Sequence, residues 1–277
     1  MEKLNAELTM SDGCRISYDV KGSGEPIVFV HGWSANREFF SEQVEYLSKK
    51  FMVITYDLRG HGKSDKRMEI LENNLTIERL ALDLKEIIEA LNLHSVHLCG
   101  WSMGTSVLLS YVEQFRHKYA RSLTFVDMTP KLINDDSWNL GDFDAEENLR
   151  FTQSLAVDWR NVSGELVESL FARNTDKNGP KYLWVKKQVR ENIPFVMVAL
   201  QISMALGDYR SVLSCIDVPT FLAYSNGGDM YNRTHGEYMH ENIRTSKLSI
   251  YEDCGHSLFI EDPNKFNREY EEFVLSI

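Results

Sequence analysis

The chain has 277 residues, 43% of them hydrophobic and 26% charged, with a formal net charge of −11. This is the balance of a folded, water-soluble protein long enough to bury a sizeable core. An acidic chain without clustered Lys and Arg argues against nucleic acid or an anionic membrane as the main partner. Cys14, Cys99, Cys215 and Cys254 form no C-x-x-C pair and have no metal-type spacing with histidine, so a structural metal is not expected.

The first residues, MEKLNAELTMSDGC, carry no apolar run behind a basic start, and no later stretch approaches bilayer length. The expectation is a cytoplasmic protein with reduced thiols and no membrane span. From there, short apolar runs alternate with longer helical ones: PIVFVHG (26–32), MVITYD (52–57), SVHLCG (95–100), SLTFVD (122–127) and PTFLAYS (219–225). Val, Ile, Phe and Tyr dominate them, as in strands buried on both faces of a mostly parallel sheet. Between the second and third, residues 76–93 place Ile77, Leu80, Leu84, Ile87, Ile88 and Leu91 at helical spacing, with Thr76 or Asn74 placed to cap. Residues 131–210 break the rhythm with helix-like stretches and no buried strand, which predicts a helical insertion. The strand-like SKLSIYE and the helical NKFNREYEEFVLSI close the chain.

One motif sits at a strand-to-helix junction. Gly100-Trp101-Ser102-Met103-Gly104 reads G-x-S-x-G, the pattern of a nucleophile on a sharp turn, where small residues relieve crowding. The plainer reading is a tight turn with Ser102 capping the helix. A nucleophilic serine needs a base, an acid and oxyanion donors. Of eight histidines, His256 stands on a loop behind a strand, where open α/β sheets carry their chemistry. His31 and His61 lie on similar loops, but backbone bonding explains them more simply. Two acids compete, Asp229 in AYSNGGDMYN and Asp127 at the end of SLTFVD. The chain order Ser102, Asp229, His256 favours Asp229. The amides of Met103 and Trp33, the latter following Gly32, are the candidate oxyanion donors.

With these stretches in hand, the chain resembles the α/β-hydrolase superfamily, in the group with a helical cap. The matching residues are VHGW (30–33), DLRGHGKSD (57–65), GWSMG (100–104), GGD (227–229) and CGHSLFIEDP (254–263). The resemblance implies an α/β-hydrolase core over residues 1–130 and 211–277, with a cap over 131–210. It also implies Ser102 as nucleophile, His256 as base, Asp229 as acid and Trp33 and Met103 as oxyanion donors, with Asp57, Arg59 and Gly60 structural. Three departures stand out. Thr105 replaces a second glycine common after the elbow, and the acid loop reads Asn226-Gly227-Gly228-Asp229 where relatives have a glycine three places before the acid. Ser102 itself separates the chain from haloalkane dehalogenases and epoxide hydrolases, which use aspartate there.

The function implied is hydrolysis of a carboxylic ester or lactone of a small, largely apolar molecule through an acyl-enzyme, with no cofactor. Trp101 beside the serine, with Phe195, Met197 and Met204 from the insertion, would line an apolar pocket, although core packing is the simpler role of each insertion residue. The same scaffold also serves C–C bond hydrolases, cofactor-free haloperoxidases and ligand receptors. A C–C hydrolase would need a cation in its cavity, for which Arg150, Arg160, Arg173 and Arg190 are candidates.

Overall fold

A computed structural model describes residues 2–277. The chain opens with a hairpin of β1 (Lys3–Thr9) and β2 (Arg15–Gly22), then runs through β3 (Pro26–Val30), a 3-10 turn at Arg37–Phe40 and α1 (Ser41–Leu47) to β4 (Met52–Tyr56). The short α2 (Met68–Leu71) and α3 (Ile77–Ala90) lead to β5 (Val96–Trp101), α4 (Met103–Phe115) and β6 (Ala120–Val126). Next come α5 (Ala145–Val157), α6 (Trp159–Ser169), α7 (Pro180–Arg190), α8 (Pro194–Leu206) and the short α9 (Arg210–Leu213). The chain ends with β7 (Thr220–Ser225), α10 (Arg233–Asn242), β8 (Ser246–Tyr251), α11 (Leu258–Glu261) and α12 (Pro263–Leu275).

The strands form one eight-stranded sheet in the order β1-β2-β4-β3-β5-β6-β7-β8. The β1–β2 and β2–β4 pairs are antiparallel and the remaining pairs parallel. Strand alternation divides the core in two. Val28, Val30, Ile54, Tyr56 and Leu98 face α3 and α4, while Ile27, Phe29, Val53 and Cys99 face the side covered by α12. Every residue of β5 is buried, His97 included, which explains why apolar residues dominate both of its faces in sequence.

The opening hairpin is the main element the sequence reading missed. It is an antiparallel edge pair whose outer strand is largely exposed, so it lacks the apolar run that marks a central strand. Its turn was signalled by Asp12-Gly13, where Gly13 has φ +83. Thr76 rather than Asn74 caps α3, its side chain accepting from the Arg79 amide. Among the described residues no single helix is long and apolar enough to cross a membrane.

Two buried histidines brace the sheet edge above β3 and β4. His31 Nδ1 donates to Gly32 O at 2.8 Å while its Nε2 accepts from the Leu58 amide at 3.0 Å, which fixes a neutral ring. His61 Nδ1 donates to Arg59 O at 3.0 Å. Burial lowers their pKa values to about 4 for His31 and about 3 for His61, the latter helped by the neighbouring His31. In the unfolded chain both protonate near pH 6.5, so between there and the folded values the unfolded state binds more protons. Stability is therefore expected to be intact above about pH 6.5 and to fall as the pH drops toward 4, by up to about 1.4 kcal/mol per unit for each ring. Urea unfolding across this range checks it. An unchanged slope after replacing both histidines would refute the assignment.

Candidate active site

Ser102 stands between β5 and α4 with φ 55 and ψ −124, a left-handed conformation strained for a residue with a side chain. The turn is held on both sides. The Ser102 amide donates to Val126 O at 3.0 Å, and Ser102 O accepts from the Thr105 amide at 2.8 Å. Close approach explains the flanking glycine: a Cβ on Gly104 would lie 2.1 Å from Val30 O. The departure at Thr105 also has a role, because its hydroxyl donates to Gly100 O at 2.8 Å inside the turn. Below Ser102, α4 runs for thirteen residues, directing its positive N-terminal end at the serine.

The Trp33 loop meets this turn from the side. A Cβ on Gly32 would stand 2.9 Å from the Ser102 Cβ, so only glycine lets the two backbones come together. Among the described residues no hydrogen-bond partner takes the backbone amide of Trp33, and the Met103 amide, at the first position of α4, has none within the helix. The Trp33 indole is anchored elsewhere, donating to Met197 O at 3.1 Å.

His256 follows β8 on a loop fixed by the Ser257 amide, which donates to Leu170 O at 2.7 Å. Its own carbonyl accepts from the Trp101 indole at 2.9 Å. His256 Nδ1 lies 2.8 Å from Asp127 Oδ2, with both side chains buried. Its Nε2 is buried with no hydrogen-bond partner among the described residues. Asp127 directly follows β6 at φ 51, another strained non-glycine position, and also accepts from the Ser225 amide at 2.7 Å and the Ser225 hydroxyl at 3.1 Å.

The acid expected from chain order is therefore corrected. Asp229 does not meet His256; it is exposed and paired with Arg173 Nε at 2.6 Å. The physical reason is strand geometry. Trp101 is paired with Val126 across β5 and β6, so the next residue on each strand puts Asp127 beside the serine turn. The loop after β7 instead carries its aspartate outward.

Ser102 and His256 line one cavity of about 340 Å³, walled mainly by apolar and aromatic side chains from both the sheet edge and the inserted helices. Of the expected pocket residues, Trp101 and Met204 line it, as does Trp33. Phe195 and Met197 do not. Phe195 is 45% exposed on the outside of α8, and Met197 is fully buried in the core beneath it. The sequence reading missed Asp142, Glu165, Gln201 and Tyr231, which add polar atoms to the lining. Among the described residues no group of His, Cys, Asp and Glu has an arrangement that would hold a metal.

Known proteins share this architecture. Residues 25–263 match the family model described as alpha/beta hydrolase fold. A 3-oxoadipate enol-lactonase from Acinetobacter baylyi is 27% identical, the alignment covering 98% of this chain and 97% of the relative. A pimeloyl-[acyl-carrier protein] methyl ester esterase from Nitrosomonas europaea is 24% identical over 91% of this chain and 96% of its own. An esterase from Exiguobacterium antarcticum superposes with a TM-score of 0.90 at 26% identity, covering 98% of this chain and 99% of that one. A match running from β3 to the start of α12, over a sheet of this strand order with its serine turn behind β5, means that the chain belongs to the α/β-hydrolase fold family.

Proposed function

We propose that this protein is a serine hydrolase that cleaves a carboxylic ester or lactone of a small, largely apolar molecule through an acyl-enzyme. The observation that carries the reading is the buried His256–Asp127 pair, whose second ring nitrogen has no partner, in the wall of a cavity that Ser102 also lines. In this reading His256 removes the Ser102 proton as the oxygen attacks the carbonyl, and Asp127 holds the ring tautomer and stabilises the imidazolium. The amides of Trp33 and Met103 receive the oxyanion, with the N-terminal end of α4 behind them. His256 returns the proton to the leaving alcohol, and water then cleaves the acyl-enzyme by the same route in reverse. Residues 131–210 act as the cap that roofs the cavity.

The relatives named as an enol-lactonase and esterases support ester or lactone chemistry. The C–C hydrolase alternative would need a cation in the cavity. Among the described residues no Lys or Arg lines it, and Arg150 and Arg173 are committed to Glu146 and Asp229. The test is reaction with a fluorophosphonate followed by peptide mapping, beside turnover of a p-nitrophenyl ester series of rising acyl length. Labelling on Ser102 together with turnover is the expected result. Labelling without turnover of any ester would favour a receptor role on the same scaffold, and an unlabelled Ser102 would defeat the serine-hydrolase reading.

A further inference from the structure

Among the described residues, Asp142 is the one acidic side chain of the cavity wall that is neither exposed nor paired. It lies between β6 and α5, on a segment pinned by its own amide, which donates to Leu132 O at 2.9 Å, and by the Gly141 amide, which donates to Asn134 Oδ1 at 2.7 Å. Among the described residues nothing donates a hydrogen bond to its carboxyl and no cation pairs with it, although it lines the same cavity as Ser102 and His256. Burial, partly offset by the His256 ring and reinforced by Asp127, pushes its pKa up to about 6. At pH 8 it is therefore ionised. A carboxylate held against apolar walls without a donor is costly, and the cost falls when a ligand supplies a positive charge or rises when it supplies another negative one. The other charged groups of the wall point the same way: Glu165 and Asp229 stand at its exposed side, Asp229 already tied to Arg173, and no Lys or Arg lines the cavity among the described residues.

We propose that Asp142 is a specificity-determining residue that steers the cavity toward an ester carrying a cationic group, such as an alkylammonium, and away from one carrying a carboxylate. The inference rests on the hydrolase reading for its ester, but the charge preference belongs to the cavity and can be read without turnover. Catalysis discriminates substrates by differential binding, so one charge met or unmet at a desolvated site changes kcat/KM strongly.

The experiment compares wild type with Asp142→Asn at pH 8 on three p-nitrophenyl esters of matched length. One ends in trimethylammonium, one in its neutral tert-butyl isostere and one in carboxylate. The expected result is a kcat/KM about tenfold or more higher for the ammonium ester than for the neutral one, and the carboxylate ester lower than neutral by a similar factor. In Asp142→Asn both ratios should collapse to within about threefold. Asp142→Ser serves as a second neutral variant if Asp142→Asn does not fold. Calorimetric titration with hexyltrimethylammonium and with heptanoate reads the same preference without chemistry. Esters that turn over alike in wild type, or ratios that survive in both variants, would overturn the role of Asp142 while leaving the hydrolase reading standing. A cation preference lost in the variants, with no ester turned over and Ser102 unlabelled, would uphold Asp142 and defeat the hydrolase reading.

Discussion

Ser102→Ala is expected to abolish ester hydrolysis, with a loss in kcat on the order of a millionfold, while the fold stays intact. Alanine keeps the Cβ, so the turn at φ 55 carries the same backbone strain, and the bonds that hold it run through the Ser102 amide and carbonyl. Among the described residues the hydroxyl itself has no hydrogen-bond partner, which separates its chemistry from the stability of the turn. The measurement is kcat on a p-nitrophenyl ester together with the melting temperature. A variant with wild-type turnover would remove Ser102 from the mechanism, and one that fails to melt cooperatively would show that the hydroxyl is structural after all.

The second large effect is a comparison of two aspartates. Asp127→Asn is expected to cost about four orders of magnitude in kcat, because an amide facing His256 Nδ1 no longer selects the reactive tautomer or offsets the imidazolium charge. Asp229→Asn is expected to cost less than about tenfold, since at the exposed side of the cavity wall it makes an exposed pair with Arg173 rather than meeting His256, and such pairs contribute little. Steady-state kinetics of both variants on the same ester decides the matter. If the losses were reversed, the acid would come from the loop after β7, and the arrangement described around Asp127 would not be the working one.

Much of this architecture was legible before any coordinates. The parallel strands from β3 to β7 announced themselves because both faces of each are largely covered, so apolar residues dominate them on both faces. The strained turn could be read from its two glycines, and His256 from its place behind a strand. The acid could not. Chain order ranks Asp229 and Asp127 by precedent, whereas the choice is made by register: Asp127 is one residue beyond a strand pairing that ends beside Ser102. Phe195 and Met197 failed as pocket residues for a different reason. The stretch PFVMVALQISMAL is apolar nearly all round, so its sequence holds no phase to tell which side of α8 meets a cavity, which meets the core and which meets water. Met204, Met197 and Phe195 fall on those three sides in turn.

The helices between β6 and β7 are sewn to the sheet along two seams. On one, the Trp33 indole holds Met197 O, Asn192 Nδ2 donates to Ser34 O at 2.6 Å and the Ile77 amide donates to Ser203 Oγ at 2.9 Å. On the other, the Ser257 amide donates to Leu170 O and Glu261 Oε1 accepts from the Ala172 amide at 2.9 Å. Swinging the roof away as a single body would break both seams at once and drag the Trp33 and His256 loops out of register with the serine. In the proposed hydrolase, entry is therefore expected on the side where the exposed Glu165 and Asp229 line the cavity, and a molecule too wide for that side would be turned away before its reactive bond is presented.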